Sequence, residues 1–161
     1  MNSRNTFTLI PVFFAGLIFL GACSKSPAIK PKSKTDLISA GTWKYSQVGI
    51  DQNSDGSIDY PLPTALLAVC DADNLFTFKA DSTGTLDEGK ELCITPGNQT
   101  TPFTWKFLNN ETEISSSVTI LPYSDGAVKV MVLNETTFTI SKNISIYGVP
   151  TPLTVIAVMV H

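Results

Sequence analysis

Seven to nine short runs of this chain alternate apolar and polar residues, and few folds can use that pattern. A period of two puts every second side chain on one face of an extended strand. In 102–108 that face carries Phe103, Trp105 and Phe107; in 75–80 it carries Phe76 and Phe78, with Thr77 and Lys79 opposite. Residues 113–121 bring Ile114, Ser116, Val118 and Ile120 together, 127–133 align Val128, Val130 and Val132, and 137–142 set Phe138 and Ile140 inward. Further strands are expected at 43–50, 144–147 and 153–160. Turn residues separate the runs, as in Asp81-Ser82-Thr83-Gly84 and Asn109-Asn110-Glu111. Hairpin follows hairpin with no long crossover. This predicts an all-β fold, a small antiparallel up-and-down barrel of about eight strands. A short helical segment at 63–69, with Leu66, Leu67 and Val69, is expected to close against the core, and a turn of helix is expected at 36–39.

The last run breaks the alternation. Val155, Ile156, Ala157, Val158, Met159 and Val160 are apolar without interruption. Such a strand is buried on both faces. Its outer cover is expected from 63–69, with a second subunit as the alternative.

The N-terminal stretch has a different composition. Arg4 is followed by an apolar run over 7–20, roughly 14 residues, the size of a signal h-region and short of the ~20 that span a bilayer as a helix. Residues 1–22 are therefore expected to be an export signal. Residues 24–35 carry Lys25, Lys30, Lys32 and Lys34 with Pro27 and Pro31 and no acid. With little apolar surface to bury, 23–36 is expected to be a flexible tether ahead of a barrel domain at 37–161. From Asp36 onward acids outnumber lysines about two to one and arginine is absent. A surface of that sign, without a basic patch, repels nucleic acid.

Three cysteines punctuate the chain. If Cys23 is modified, Cys70 and Cys93 remain as an even pair, and an oxidising compartment favours a disulfide between them. The alternative is two free or metal-binding thiols.

Leu20-Gly21-Ala22-Cys23 resembles the lipobox of bacterial lipoproteins. Gly41-Thr42-Trp43, opening the first strand, is similar to the Gly-x-Trp signature of lipocalins. Phe76-Thr77-Phe78, Asp81-Ser82-Thr83-Gly84-Thr85 and Thr104-Trp105-Lys106-Phe107 follow in an order that looks like the bacterial lipocalin-like lipoproteins. The resemblance implies a lipid on Cys23, an envelope location and a tryptophan packed across the closed barrel end. Ser24 in place of aspartate implies outer-membrane retention in a Gram-negative cell, with the domain facing the periplasm. There is one departure: lipocalins usually stack a late-strand arginine on that tryptophan, and no arginine follows Arg4.

Candidate chemistry is sparse. His161, the only histidine, is expected to be mobile, no Gly-x-Ser-x-Gly elbow occurs, and paired acids such as Asp71/Asp73 and Asp87-Glu88 sit at turns. The chain is not expected to be an enzyme. If alternation holds, Trp43, Tyr45, Phe76, Phe78, Phe103, Trp105, Phe107 and Phe138 project inward and line any pocket. An eight-stranded barrel is wide enough either to be filled by side chains or to hold one small ligand. The expected function is binding of a small apolar or amphipathic molecule in the cell envelope. A non-enzymatic scaffold or protein-interaction module with a filled core is the alternative. One metal site is suggested. Asp51, Asn53, Asp55, the Ser57 carbonyl and Asp59 follow the spacing of a calcium loop, with Gly56 at the turn, although Leu62 stands where a bidentate Glu is required. The same residues also suit a self-satisfied Asx-rich turn.

Overall fold

The computed structural model describes residues 30–63, 67–145 and 151–161. The export signal, Cys23, most of the tether, part of 63–69 and most of 144–152 lie outside the described residues. The folded unit is Pro31–His161, so the end of the stretch expected to be tether belongs to the domain.

The alternating runs become strands: β1 (Thr42–Asp51), β2 (Tyr60–Pro61), β3 (Leu75–Phe78), β4 (Thr83–Asp87), β5 (Thr100–Leu108), β6 (Glu113–Ser116), β7 (Val128–Leu133), β8 (Thr137–Ile144) and β9 (Leu153–Val160). Each pairs antiparallel with the next around the sheet, and β9 returns to pair with β1. The wall is thus a closed antiparallel barrel of eight strands. The two-residue β2 is extra, pairing with Gly49 and Ile50 beyond the short β1–β3 ladder. Closure leaves the wall no free edge.

Helix α1 (Lys34–Ile38) is set by a capping box: Asp36 N–H donates to Ser33 Oγ, and Ser33 N–H donates back to the Asp36 carboxylate. It delivers Ile38, fully buried, to one end of the barrel, where the Ile38 carbonyl accepts the Trp43 indole N–H at 2.7 Å. Trp43 is wholly buried, edge-on to Phe138, and its face is covered by the His161 imidazole at 3.8 Å. The expectation of a mobile His161 is thereby corrected. Its ring packs on Trp43 because β9, paired to β1 along its length, carries it there.

Alternation fails at two bulges. In β1 the register shifts between Tyr45 and Gln47, so Val48 takes the inward place after Tyr45. In β7 a shift between Val130 and Val132 turns Val132 outward, 42% exposed, where it was expected inside. The run expected as one strand over 113–121 stops at Ser116, and Ile120 and Leu121 bury themselves off the ladder. The break expected near Lys142 is absent, since β8 continues to Ile144. The second helix, α2 (Val69–Ala72), begins where the helical segment was expected to end.

The inner face of β9 is buried, and its outer face is covered only in part, with Val158 and Val160 half-buried. Val155, Ala157 and Met159 join the core, and Ile156, opposite Gly49, is also buried. The cover expected from 63–69 lies partly outside the described residues, and the 51–59 loop packs on the strands to either side. The Ile58 side chain occupies the space a Cβ on Gly49 would need, and Gly56 lies against Met131 of β7. Between the loop and β7 to β9 lies an open cleft bordered by Ser54, Gly56, Met131, Ser141 and Thr154.

Candidate functional site

The residues expected to line a pocket fill the barrel. Trp43, Phe76, Phe78, Phe103, Trp105 and Phe138 are each at most 5% exposed. Phe78 is edge-on to Phe103, Trp105 and Phe138, with centroids 5.3, 5.6 and 6.1 Å apart. That edge-to-face geometry suits aromatic quadrupoles. Gly84 makes the layer possible, since a Cβ there would collide with the Phe103 ring. Trp105 donates its indole N–H to the Lys79 and Thr83 carbonyls. Phe107 is half-buried beside it. Ile120 and Leu121 complete the filling from the 117–127 segment.

Beside the filled interior, and apart from larger clefts on other faces of the described residues, a cleft of about 370 Å³ lies at the barrel mouth. It is bounded by Tyr45 from β1, Ala68, Asp71 and Asn74 around α2, and Thr119, Pro122 and Tyr123 from the 117–127 segment. Of the expected pocket residues, Tyr45 alone borders it. The Tyr45 hydroxyl donates to the Ile120 carbonyl at 3.1 Å, and its ring stands edge-on to Phe76. Burial, reinforced by the Asp71 charge, raises its pKa far above the ordinary phenol range, so it stays neutral and keeps that bond.

Asn74 is 8% exposed and its Oδ1 is buried without a hydrogen-bond partner. An unmet buried acceptor is costly to the fold. Tyr123 is 53% exposed and held at a left-handed φ of 61° in a turn that Ser124 closes on the Leu121 carbonyl.

The Cys70–Cys93 disulfide is formed, with Cα atoms 5.1 Å apart. It ties α2 to the 88–99 loop. Asp71 and the two sulfurs lie close together, but bonded sulfurs offer no thiolate, so this is no thiolate metal centre. The neighbouring acids hold backbone: Asp73 accepts from the Lys90 and Glu91 amides, Asp87 from Gly89, and Glu88 from Cys93.

In the 51–59 loop the carboxylates serve the chain itself. Asp51 accepts the Asp55 and Gly56 amides, Asp59 those of Gln52 and Asn53, and Asp55 that of Ser57. Asn53 Nδ2 takes further oxygens of Asp55 and Asp59, and its own Oδ1 accepts the Asp55 amide. Among the described residues, Asp51, Asp55 and Asp59 do not converge as a cluster of possible ligand oxygens. Calcium needs six to eight oxygens around one point. The donor set in this arrangement suits a turn better than an ion.

Of the cleft residues, Tyr45 was expected to line a pocket and Asp71 was read as a turn acid; the others were not singled out from sequence. Pro122-Tyr123-Ser124 carries only a turn signal, and Asn74 only that of a residue before a strand. A closed eight-strand barrel with a filled interior and a polar-floored mouth cleft is the class that fold and site define. No family model matches the chain, and no curated protein matches it.

Proposed function

We propose that the protein is an envelope lipoprotein, anchored through Cys23, that binds a small amphipathic molecule at the mouth of its barrel. The observation that carries this reading is the mouth cleft, bordered by Tyr45, Asp71 and Asn74 and by the exposed Tyr123 ring. Its volume falls within the range of ligand pockets, ~300–1,000 Å³. The lipid anchor is supported by Leu20-Gly21-Ala22-Cys23 behind an h-region. The barrel acts as a rigid frame for the cleft, and no catalytic step is assigned to it.

Native mass spectrometry of protein purified from its own membrane tests the reading. A co-purifying small molecule, depleted in Tyr123→Ala, is the expected result. The anchor is tested by fractionation: Cys23→Ala should leave the membrane, and a variant that stays wholly with it overturns the anchor. A second reading, docking of a partner protein, is favoured by the exposure of Val69, Ile94 and Tyr123, at 68%, 71% and 53%. Absence of both a co-purifying molecule and saturable binding of small probes would make it the better one.

A further inference from the structure

We infer that the protein carries a second binding site, separate from the mouth cleft, which takes a neutral saccharide in the open cleft between the 51–59 loop and the outer wall of β7 to β9. This cleft holds about 510 Å³, within the range of ligand pockets, ~300–1,000 Å³.

Its floor is one row of the sheet. Glu113 of β6 stands opposite Lys129 of β7, and Lys129 stands opposite Ser141 of β8. Phe138 and Ile140 join the core, so alternation turns Ser141 outward. Side chains directly opposite on one face lie about 4.5–5.5 Å apart at Cβ. Ser141 is 6% exposed, yet its hydroxyl has no hydrogen-bond partner among the described residues and keeps some accessible surface. The core lies behind it and β7 and β9 flank it, so that surface opens into the cleft it borders. A hydroxyl so enclosed and unmatched by the chain is satisfied only by what enters the cleft. Lys129 also has no partner among the described residues, and Glu113 uses only Oε2, on the Asn109 side-chain amide.

The charges select the ligand by exclusion. An anion drawn to Lys129 would enter beside the Glu113 and Asp51 carboxylates, and a cation drawn to Glu113 would enter beside Lys129 and Lys142. An apolar body would find little beyond Met131 and Ala127. A neutral molecule with adjacent hydroxyls gains from both signs. Each hydroxyl both donates and accepts, so a vicinal diol can accept from the Lys129 ammonium while donating to the neighbouring Glu113 carboxylate. Hydrogen bonds to charged groups are the stronger kind. Ser141 can take either role toward a third hydroxyl. Met131, whose methyl lies against Gly56 of the loop, offers an apolar contact to the C–H face of a sugar ring.

Full-length protein in a sugar-free polyoxyethylene detergent is titrated calorimetrically with methyl β-glucoside, methyl β-galactoside, methyl α-mannoside and N-acetylglucosamine. Cyclohexanol, and the uronic acid and protonated amino sugar of whichever ring binds best, serve as comparisons. At least one neutral sugar is expected to bind saturably, about fivefold tighter than its two charged relatives, with no saturable heat from cyclohexanol. Ser141→Ala should weaken that sugar about fivefold, the loss of one neutral hydrogen bond, and Lys129→Met about tenfold, the loss of a charged one. Melting curves check that both variants fold. Tyr123→Ala, in the mouth cleft, should bind the sugar as wild type does. Absence of saturable binding by all these neutral sugars overturns the inference. So does equal or tighter binding of the uronic acid or amino sugar, or unchanged affinity in both Ser141→Ala and Lys129→Met. None of these results touches the mouth-cleft reading, whose own test is the co-purifying molecule depleted in Tyr123→Ala.

Discussion

Phe78→Ala tests whether the barrel interior is solid. The ring is 1% exposed and meets three other aromatic rings edge-on. Deleting a buried phenyl ring costs about 3–5 kcal/mol, the lost transfer free energy plus the cavity left behind. The lost edge-to-face contacts, about 0.5–1.5 kcal/mol for such a pair, push the expectation to the upper half of that range, about 4 kcal/mol. For a folded unit of about 130 residues the unfolding entropy makes 1 kcal/mol worth about 3.6 °C, so Tm should fall by about 15 °C. The assay is thermal unfolding followed by circular dichroism, with and without benzene. An apolar cavity stays dry and binds benzene, so benzene should raise the Tm of the variant and leave that of the wild type unchanged. A loss below about 1 kcal/mol, or equal stabilisation of wild type by benzene, would mean the rings line a void, and the filled-core reading would be refuted.

Replacing Cys70 and Cys93 together by Ser should cost about 3.4 kcal/mol, from opening a loop with a sequence separation of 23, with the strand signal retained; free-thiol labelling of native protein would contradict this. Calorimetry with millimolar calcium should give flat, identical traces for wild type and Asp55→Ala; a wild-type heat that Asp55→Ala abolishes would restore the metal. The Asp55 carboxyl is held below its ordinary pKa first by the Ser57 amide, Asp81 by the Thr83 hydroxyl and amide, and Glu135 by Lys32. A depressed folded-state pKa gives stability that is present above the ordinary value, about 4, and lost as pH falls through the lowered one. Acid titration of Asp81→Asn should therefore show a shallower loss of stability below pH ~4 than wild type, and superimposable curves would remove that contribution.

The strands were legible because alternation is local: Phe103 and Trp105 declare a face whatever lies opposite. Both bulges were not, because one extra residue leaves composition unchanged and reverses every later side chain, as Val132 does. Val118 and Ile120 continue the alternation of β6, and the pattern suits a segment folded into the mouth as well as one in the wall. The 51–59 loop was recognisable as a loop, but its approach to Met131 of β7 depends on barrel closure. The cleft was least legible. Tyr45, Asn74 and Tyr123 come from three segments brought together by barrel closure, and polar residues beside turns carry no mark of the cavity they will border.

The pairing of the first long strand with the last fixes the order in which the chain can finish folding. Thr42 and His161 touch across 119 positions, and Lys44 through Asp51 find their partners between Thr154 and Val160. Contacts of such separation form slowly, since a long loop must be closed before they return any stability. Until they form, β1 presents an unpaired edge and the unbroken apolar stretch of β9 is a β-prone segment without a partner. A nascent or refolding chain that lacks its final residues is therefore an open sheet with two adhesive margins, and its hazard is association with other copies rather than mere loss of shape.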